Sequence, residues 1–164
     1  MNGVAYEKDG IMHLHGGHQS FTFAVGNTAA ALGIEADKIV CHQYYAGGGF
    51  GRRLFSDYIP DAVEVSKKVK KPVKLLWTRE DDMQHDFYRP ASLHKLKGSL
   101  SGKNLISWKH RIISPSISGQ RSPERFKNGQ LDRSAVNGAN NLPYDISNVL
   151  VDYIKSNTEV PVGW

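Results

Sequence analysis

The sequence predicts an α+β fold in which antiparallel β-hairpins pack with two or three helices. Strand-like runs flank turn residues at Lys8-Asp9-Gly10 and again at Ser101-Gly102-Lys103-Asn104, so two hairpins are expected. Two stretches with helical spacing, one after Ser20 and one after Asp57, lie between other strand-like runs. Strands and helices mix without any internal repeat, which points away from solenoids and from all-β or all-α classes. With 164 residues and 40% hydrophobic content the chain can bury one sizeable core. Residues 1–164 are therefore expected to form a single domain. The chain ends on Trp164, a large aromatic whose exposure would forfeit ~150–250 Å² of burial, and this suggests a fragment of something longer.

The elements follow in order. Val4-Ala5-Tyr6-Glu7 and Ile11-Met12-His13-Leu14-His15 form the first hairpin. Gly16-Gly17-His18-Gln19 breaks the strand, Ser20 can cap a helix running to about Leu32, and Gly33 can stop it. Phe21, Val25, Thr28 and Leu32, next to Ala24 and Ala31, give that helix a narrow, closely packed buried face. Ile39-Val40-Cys41-His42-Gln43-Tyr44-Tyr45 has strand composition. Ser56 or Asp57 can cap a second helix from Tyr58 to about Val69, with Ile59, Ala62, Val63 and Val69 on its apolar side and Pro60 harmless in the first turn. Val73 to Thr78 reads as a strand, and Arg79-Glu80-Asp81-Asp82-Met83 is too charged to continue it into a core. Ser92 to Leu100 and Leu105 to Ile113 form the second hairpin, with Ile106, Trp108, His110 and Ile112 on one face. Residues 114–141 lack periodicity and read as a long loop with one short helix, and Val149 to Ile154 is the last strand.

The net charge of +5 suits polyanions in general, but only Lys67-Lys68-Val69-Lys70-Lys71 forms a basic run. It falls at the end of a predicted helix, where lysines complement the macrodipole in solvent. No aromatics are interleaved with it, which counts against nucleic acid as a partner. No apolar run approaches the ~20 residues of a membrane span. The single Cys41 excludes an intrachain disulfide and sits in an apolar strand, where filler is the commoner role.

Chemistry concentrates at Ala46-Gly47-Gly48-Gly49-Phe50-Gly51-Arg52-Arg53, between a strand and a helix. Three successive glycines remove side chains that would hold a ligand away from the peptide N–H groups, and Gly51 permits a positive φ after the bulky Phe50. The loop matches neither the Walker A nor the dinucleotide fingerprint, and a tight structural turn remains an equal reading. His13 and His15 share a strand face but lack a third ligand at metal spacing. Glu80-Asp81-Asp82, His85 and Asp86 include no partner set for acid–base work, and no nucleophile elbow, His-Glu-x-x-His or Cys-x-x-Cys occurs. The residues alone give no complete catalytic set.

Four segments in order carry a resemblance. They are Gly17-His18-Gln19-Ser20, the loop through Arg53, Trp77-Thr78-Arg79-Glu80-Asp81-Asp82-Met83 with His85-Asp86-Phe87-Tyr88-Arg89-Pro90, and Leu142-Pro143-Tyr144-Asp145-Ile146 leading to Val160-Pro161-Val162-Gly163-Trp164. Over nearly its whole length the chain resembles the molybdenum-cofactor-binding subunit of the xanthine dehydrogenase and aldehyde oxidase family. The arginine pair and the Phe-Tyr-Arg-Pro segment are similar to the bacterial branch that holds the isoquinoline 1-oxidoreductase beta subunit and related aldehyde dehydrogenases. The resemblance implies a molybdopterin-binding fold and a hydroxylase that oxidises an N-heterocycle or an aldehyde with oxygen from water.

The implied cofactor is molybdopterin cytosine dinucleotide with molybdenum. The implied partners are the remainder of the same subunit, a small iron–sulfur subunit and the small-molecule substrate. By the same resemblance Gln19 matches the glutamine whose amide approaches a molybdenum oxo ligand, and Gly48, Gly49, Phe50 and Gly51 present backbone to the cofactor. Arg52 stands where the xanthine dehydrogenase form has the glycine of Gly-Lys, and either clasps a pyrophosphate or forms an interdomain salt bridge. The family's catalytic glutamate belongs to a later segment, Glu80 is assigned to structure, and the chain alone is expected to be inactive. Neither substrate nor compartment, cytoplasmic or periplasmic, is readable. The runner-up from another class is a basic nucleic-acid-binding or scaffolding module.

Overall fold

Asp9 and Gly10 both take positive φ, 52° and 76°, the pattern of a two-residue type I′ turn. They join β1 (Asn2–Lys8) to β2 (Ile11–Gly16) with Lys8 opposite Ile11, as the sequence predicts. The computed structural model describes residues 1–124, 126 and 130–164, in two units: Met1–Asp86 with Trp164, and Phe87–Gly163.

In the first unit, four strands lie in the order β3-β2-β1-β4, with β3 spanning Ile39–Gln43 and β4 spanning Val73–Leu76. β1 pairs antiparallel with β2 and β4, whereas β3 runs parallel to β2. That parallel pair needs a crossover, and α1 (Phe21–Leu32) supplies it. Ala5, Met12, Leu14 and Ile39 form one face of the sheet and bury against Tyr58, Ile59, Ala62 and Val63 of α2 (Tyr58–Val69). Gly3 sits beneath Ile59, where a Cβ would stand 3.1 Å from Ile59 Cδ1. The opposite face carries Tyr6, His13, His15 and His42.

Both long helices occupy the expected ranges, but the expected side-chain caps are not made. Ser20 and Asp57 hold the N-cap positions without a side-chain bond. Instead the Ser20 N–H donates to His18 Nδ1 at 3.0 Å. Gly33 does close α1, at φ 62° with its N–H on the Ala29 carbonyl. Ala31 and Val69 lie on exposed faces rather than in the core, and Tyr58 and Ser66 complete the buried side of α2. The charged run after β4 forms a helix not foreseen, α3 (Arg79–Gln84), started by a capping box between Thr78 and Asp81.

The second unit is built on β5 (Leu93–Ser101), β6 (Asn104–Ser114) and β7 (Asn148–Lys155) in that order. β5 and β6 form the expected hairpin with Gly102 at φ 60°, and β7 pairs parallel to β6. The stretch expected to be a loop with one helix contains two short ones, α4 (Ile117–Arg121) and α5 (Arg133–Val136); Arg125 and residues 127–129 of that stretch lie outside the described residues. Buried Asp132 fixes both helices, since its carboxylate accepts from the hydroxyls of Ser116, Ser118 and Ser134 and from the amides of Ser118 and Ser134 at 2.6–3.2 Å. Tyr88 bridges to Val162 through its amide on the Pro161 carbonyl and its carbonyl on the Gly163 amide, both at 2.9 Å. Among the described residues the architecture is α+β with two mixed sheets and five α-helices. Among the described residues no helix is long and apolar enough to cross a membrane.

Candidate functional site

The ends of β2 and β3 lie side by side because the two strands are parallel, so the chain leaves both at the same edge of the sheet. From β2 it enters Gly17-His18-Gln19, and from β3 it enters the glycine loop. Four hydrogen bonds lace these segments together. The Gln19 amide donates to the Arg53 carbonyl at 3.1 Å, Arg53 Nη1 to the Gly17 carbonyl at 2.7 Å, and Gln43 Nε2 to the His18 carbonyl at 3.2 Å. The fourth joins two residues singled out in the sequence: the Gly51 amide donates to Gln19 Oε1 at 2.9 Å.

Inside the loop the glycines are needed for different reasons. A Cβ on Gly49 would overlap the Gln19 side chain, and a Cβ on Gly51 would overlap Trp164. Phe50 and Gly51 take successive positive φ values of 49° and 89°. For Phe50 that is an uncommon conformation, the kind of local strain that concentrates at functional sites. The residue is 83% exposed at the loop tip. A Cβ on Gly48 would meet the Phe50 ring, whereas the space at Gly47 is open. Trp164, expected to be an exposed terminus, is partly buried on Gly51 with its ring 6.3 Å from that of Phe55.

The two arginines part company. Arg52 is buried, with its Nη atoms on both Asp57 oxygens at 2.8 and 3.0 Å and its Nε 2.6 Å from Asp86. Asp82 lies 3.9 Å away, and the guanidinium stands 5.7 Å from the Trp77 ring centroid. Burial alone would pull Arg52 down, but the Asp57 hydrogen bonds and the charges of Asp57, Asp86 and Asp82 outweigh it and raise its pKa. These ion pairs lie within one unit, and the side chain is committed to carboxylates. Arg53 instead faces a cleft of about 530 Å³ bordered by Gly47 and Gly48.

Residues 2–161 match the molybdopterin cofactor-binding domain family. The chain belongs to that family. Among its relatives, this molybdopterin-binding domain is 38% identical over 107 residues to a membrane-bound aldehyde dehydrogenase [pyrroloquinoline-quinone] of Gluconacetobacter polyoxogenes, covering 65% of the domain and 14% of that protein. It is 32% identical over 120 residues to the isoquinoline 1-oxidoreductase subunit beta of Brevundimonas diminuta, covering 72% and 15%. It thus spans about one seventh of these relatives. Quinoline 2-oxidoreductase from Pseudomonas putida 86 shares the fold over 99% of the domain and 21% of its own chain, at TM-score 0.67 and 15% identity. A Cu,Mo-CO dehydrogenase shares it over 70% and 15%, at TM-score 0.55 and 20% identity.

Within the molybdopterin-binding domain, the structure brings Gln19, Gly48, Gly49, Phe50 and Gly51 into one cluster and turns the Arg52 side chain away into ion pairs. Sequence reasoning missed the joining of Arg52 to Asp82 and Asp86, although both the arginine pair and the acidic segment had been noticed. Opposite charge in two marked segments was the available signal. His13 and His15 do share a face, where His13 Nδ1 lies 2.9 Å from His42 Nε2 and the His15 and His42 rings stack at 4.1 Å. Among the described residues no group of three or more His, Cys, Asp or Glu is disposed to hold a metal.

Proposed function

We propose that this domain supplies one wall of the molybdenum cofactor site in a hydroxylase that oxidises an N-heterocycle or an aldehyde with oxygen taken from water. The observation that carries the reading is the Gln19 Oε1 bond to the Gly51 amide, which holds the glycine loop with Phe50 projecting from its tip. An anionic pterin cofactor fits this arrangement. Gly47 leaves open space, and the amides of Ala46, Gly47 and Gly48 make no hydrogen bond among the described residues. When bound, that group supplies the two-electron oxidation of a substrate carbon.

The chain's own residues position and exclude. Gln19 fixes the loop, Gly48, Gly49 and Gly51 present backbone, and Phe50 offers an apolar face that shields the site from water. Arg52 locks the end of the loop through Asp57 and Asp86. The cofactor is assigned as the cytosine dinucleotide form, the electron acceptor as a small iron–sulfur subunit, and the rest of the site, with its catalytic glutamate, as the remainder of the same subunit. Residues 1–164 serve there as one piece of a larger molybdopterin-binding subunit. The basic run offers no competing reading: Lys67, Lys68, Lys70 and Lys71 are solvent-exposed, and Lys68 pairs with Glu64 at 2.6 Å.

The test is Gln19→Ala in the complete enzyme. Turnover should fall more than molybdenum content, because the loop loses its clamp while other cofactor contacts persist; a smaller penalty than the ~10²–10³ of a lost oxyanion donor is expected. Wild-type turnover in folded, molybdenum-loaded protein sinks the role. Acid hydrolysis of the same preparation should release cytidine monophosphate, and release of another nucleotide refutes the cytosine assignment.

A further inference from the structure

The cleft beside the glycine loop contains more than the loop requires. Its lining residues include Arg53 and Lys74 and no aspartate or glutamate. Lys74 is exposed on β4 opposite Val4 and makes no ion pair among the described residues. One wall is aromatic: the Tyr6 and His15 rings stack at 5.5 Å and 24°, and Tyr44 follows His15 at 5.9 Å and 30°. Hydrogen bonds fix the order of these rings, with His15 Nδ1 3.2 Å from the Tyr44 hydroxyl and His15 Nε2 3.4 Å from the Tyr6 hydroxyl. Burial first, then the charges of His42 and His13, lower the His15 pKa, so this ring is neutral at pH 7 and adds π surface without charge. The wall and the two cations border the loop amides that lack partners.

We propose that this cleft binds a small aromatic anion, with its ring against the Tyr6, His15 and Tyr44 wall and its anionic group between Lys74 and Arg53. A volume of about 530 Å³ is ample for one such molecule and lies within the ~300–1,000 Å³ of small-molecule sites. Arg53 is pre-organised, because its Nη atoms already bond the Gly17 carbonyl at 2.7 Å and Asn2 Oδ1 at 2.9 Å. Lys74 has no competing carboxylate to displace. The site stands on the sheet face and its cations and does not require the molybdenum reading. The same chemistry is offered by a nucleotide monophosphate and by a heteroaromatic carboxylate, and the probes below separate them.

The experiment is calorimetric titration of the 164-residue chain with cytidine 5′-monophosphate, quinoline-2-carboxylate, neutral quinoline and inorganic phosphate at fixed ionic strength. At least one aromatic anion should bind about tenfold more tightly than both quinoline and phosphate, the size expected for one charge-assisted contact. Lys74→Glu and Tyr44→Ala, both at exposed positions, should each weaken it by a similar factor while circular dichroism stays unchanged. Preference for the nucleotide assigns the site to a nucleotide, and preference for the carboxylate assigns it to a free aromatic acid. Phosphate or neutral quinoline binding as tightly as the aromatic anions, or wild-type affinity in either folded variant, overturns the proposal.

Discussion

At Gly49 a side chain and a backbone position compete for the same volume, since any Cβ there would overlap Gln19. Gly49→Ala should therefore destabilise the protein by displacing Gln19 from the Gly51 amide. In a Gln19→Ala background the same substitution should cost less, an interaction of ~0.5–3 kcal/mol in a double-mutant cycle by chemical denaturation. Strictly additive effects would show that the two residues do not meet. Gly51→Ala has no such escape, because its φ of 89° disfavours any Cβ and Trp164 fills the space. Cys41 illustrates the opposite situation, a residue with reactive chemistry held silent. Burial pushes its thiol up to about 11, so alkylation by iodoacetamide at pH 8 should be far slower in the folded than in the unfolded protein. His18 is similarly committed. Its Nδ1 accepts the Ser20 amide, so the ring is neutral, and burial lowers its pKa below 6.5. Its contribution is thus complete above about pH 6.5 and is lost as pH falls through the lower folded value. His18→Gln should remove that part of the acid destabilisation in melts between ~pH 7 and ~pH 5.

Among the elements, those with punctuation at both ends were legible. α1 lies between a strand-breaking Gly16-Gly17 and a left-handed Gly33, and both hairpins have turn residues that demand their conformations. α3 was not recognised, although Thr78-x-x-Asp81 is a capping pattern, because Arg79 to Met83 has no apolar periodicity to announce a helix. Nor could the parallel partners of β3 and β7 be read, since pairing across a crossover depends on sheet geometry and not on local residue type. The connection between α4 and α5 is a case where one residue organises two elements. Burial pushes the Asp132 pKa up, but hydrogen bonds from Ser116, Ser134 and Ser118 outweigh it and leave it below the ordinary 3.8. Its stabilisation is therefore present above the unfolded value and lost as pH falls through the folded one. Asp132→Asn should lower stability by ~1–3 kcal/mol at pH 7, and the difference from wild type should shrink in thermal melts below about pH 4. A constant difference down to ~pH 2 would show that the charge contributes nothing.

For the whole molecule, the α+β class followed from the mixture of elements, and the cluster of Gln19 with the loop followed from motif order, not from spacing. The commitment of Arg52 to Asp82 and Asp86 was hidden because ion-pair partners thirty or more residues apart leave no local pattern. A domain spanning one seventh of its relatives is expected to lack most of a cofactor cage. Purified alone, it should hold no stoichiometric molybdenum by elemental analysis and should not reduce an artificial acceptor with N-heterocycles or aldehydes; substantial turnover would refute that division of labour. The contact of Trp164 with Gly51 has a kinetic consequence. The first unit is discontinuous: the chain leaves it after Asp86 and supplies one more residue to it only at Trp164. A contact that closes across most of the sequence is entropically slow to form, so the glycine loop should be the last part of its unit to order. In stopped-flow refolding, far-UV ellipticity should recover before tryptophan emission, and Trp164→Phe should abolish the late emission phase while leaving the early ellipticity phase intact.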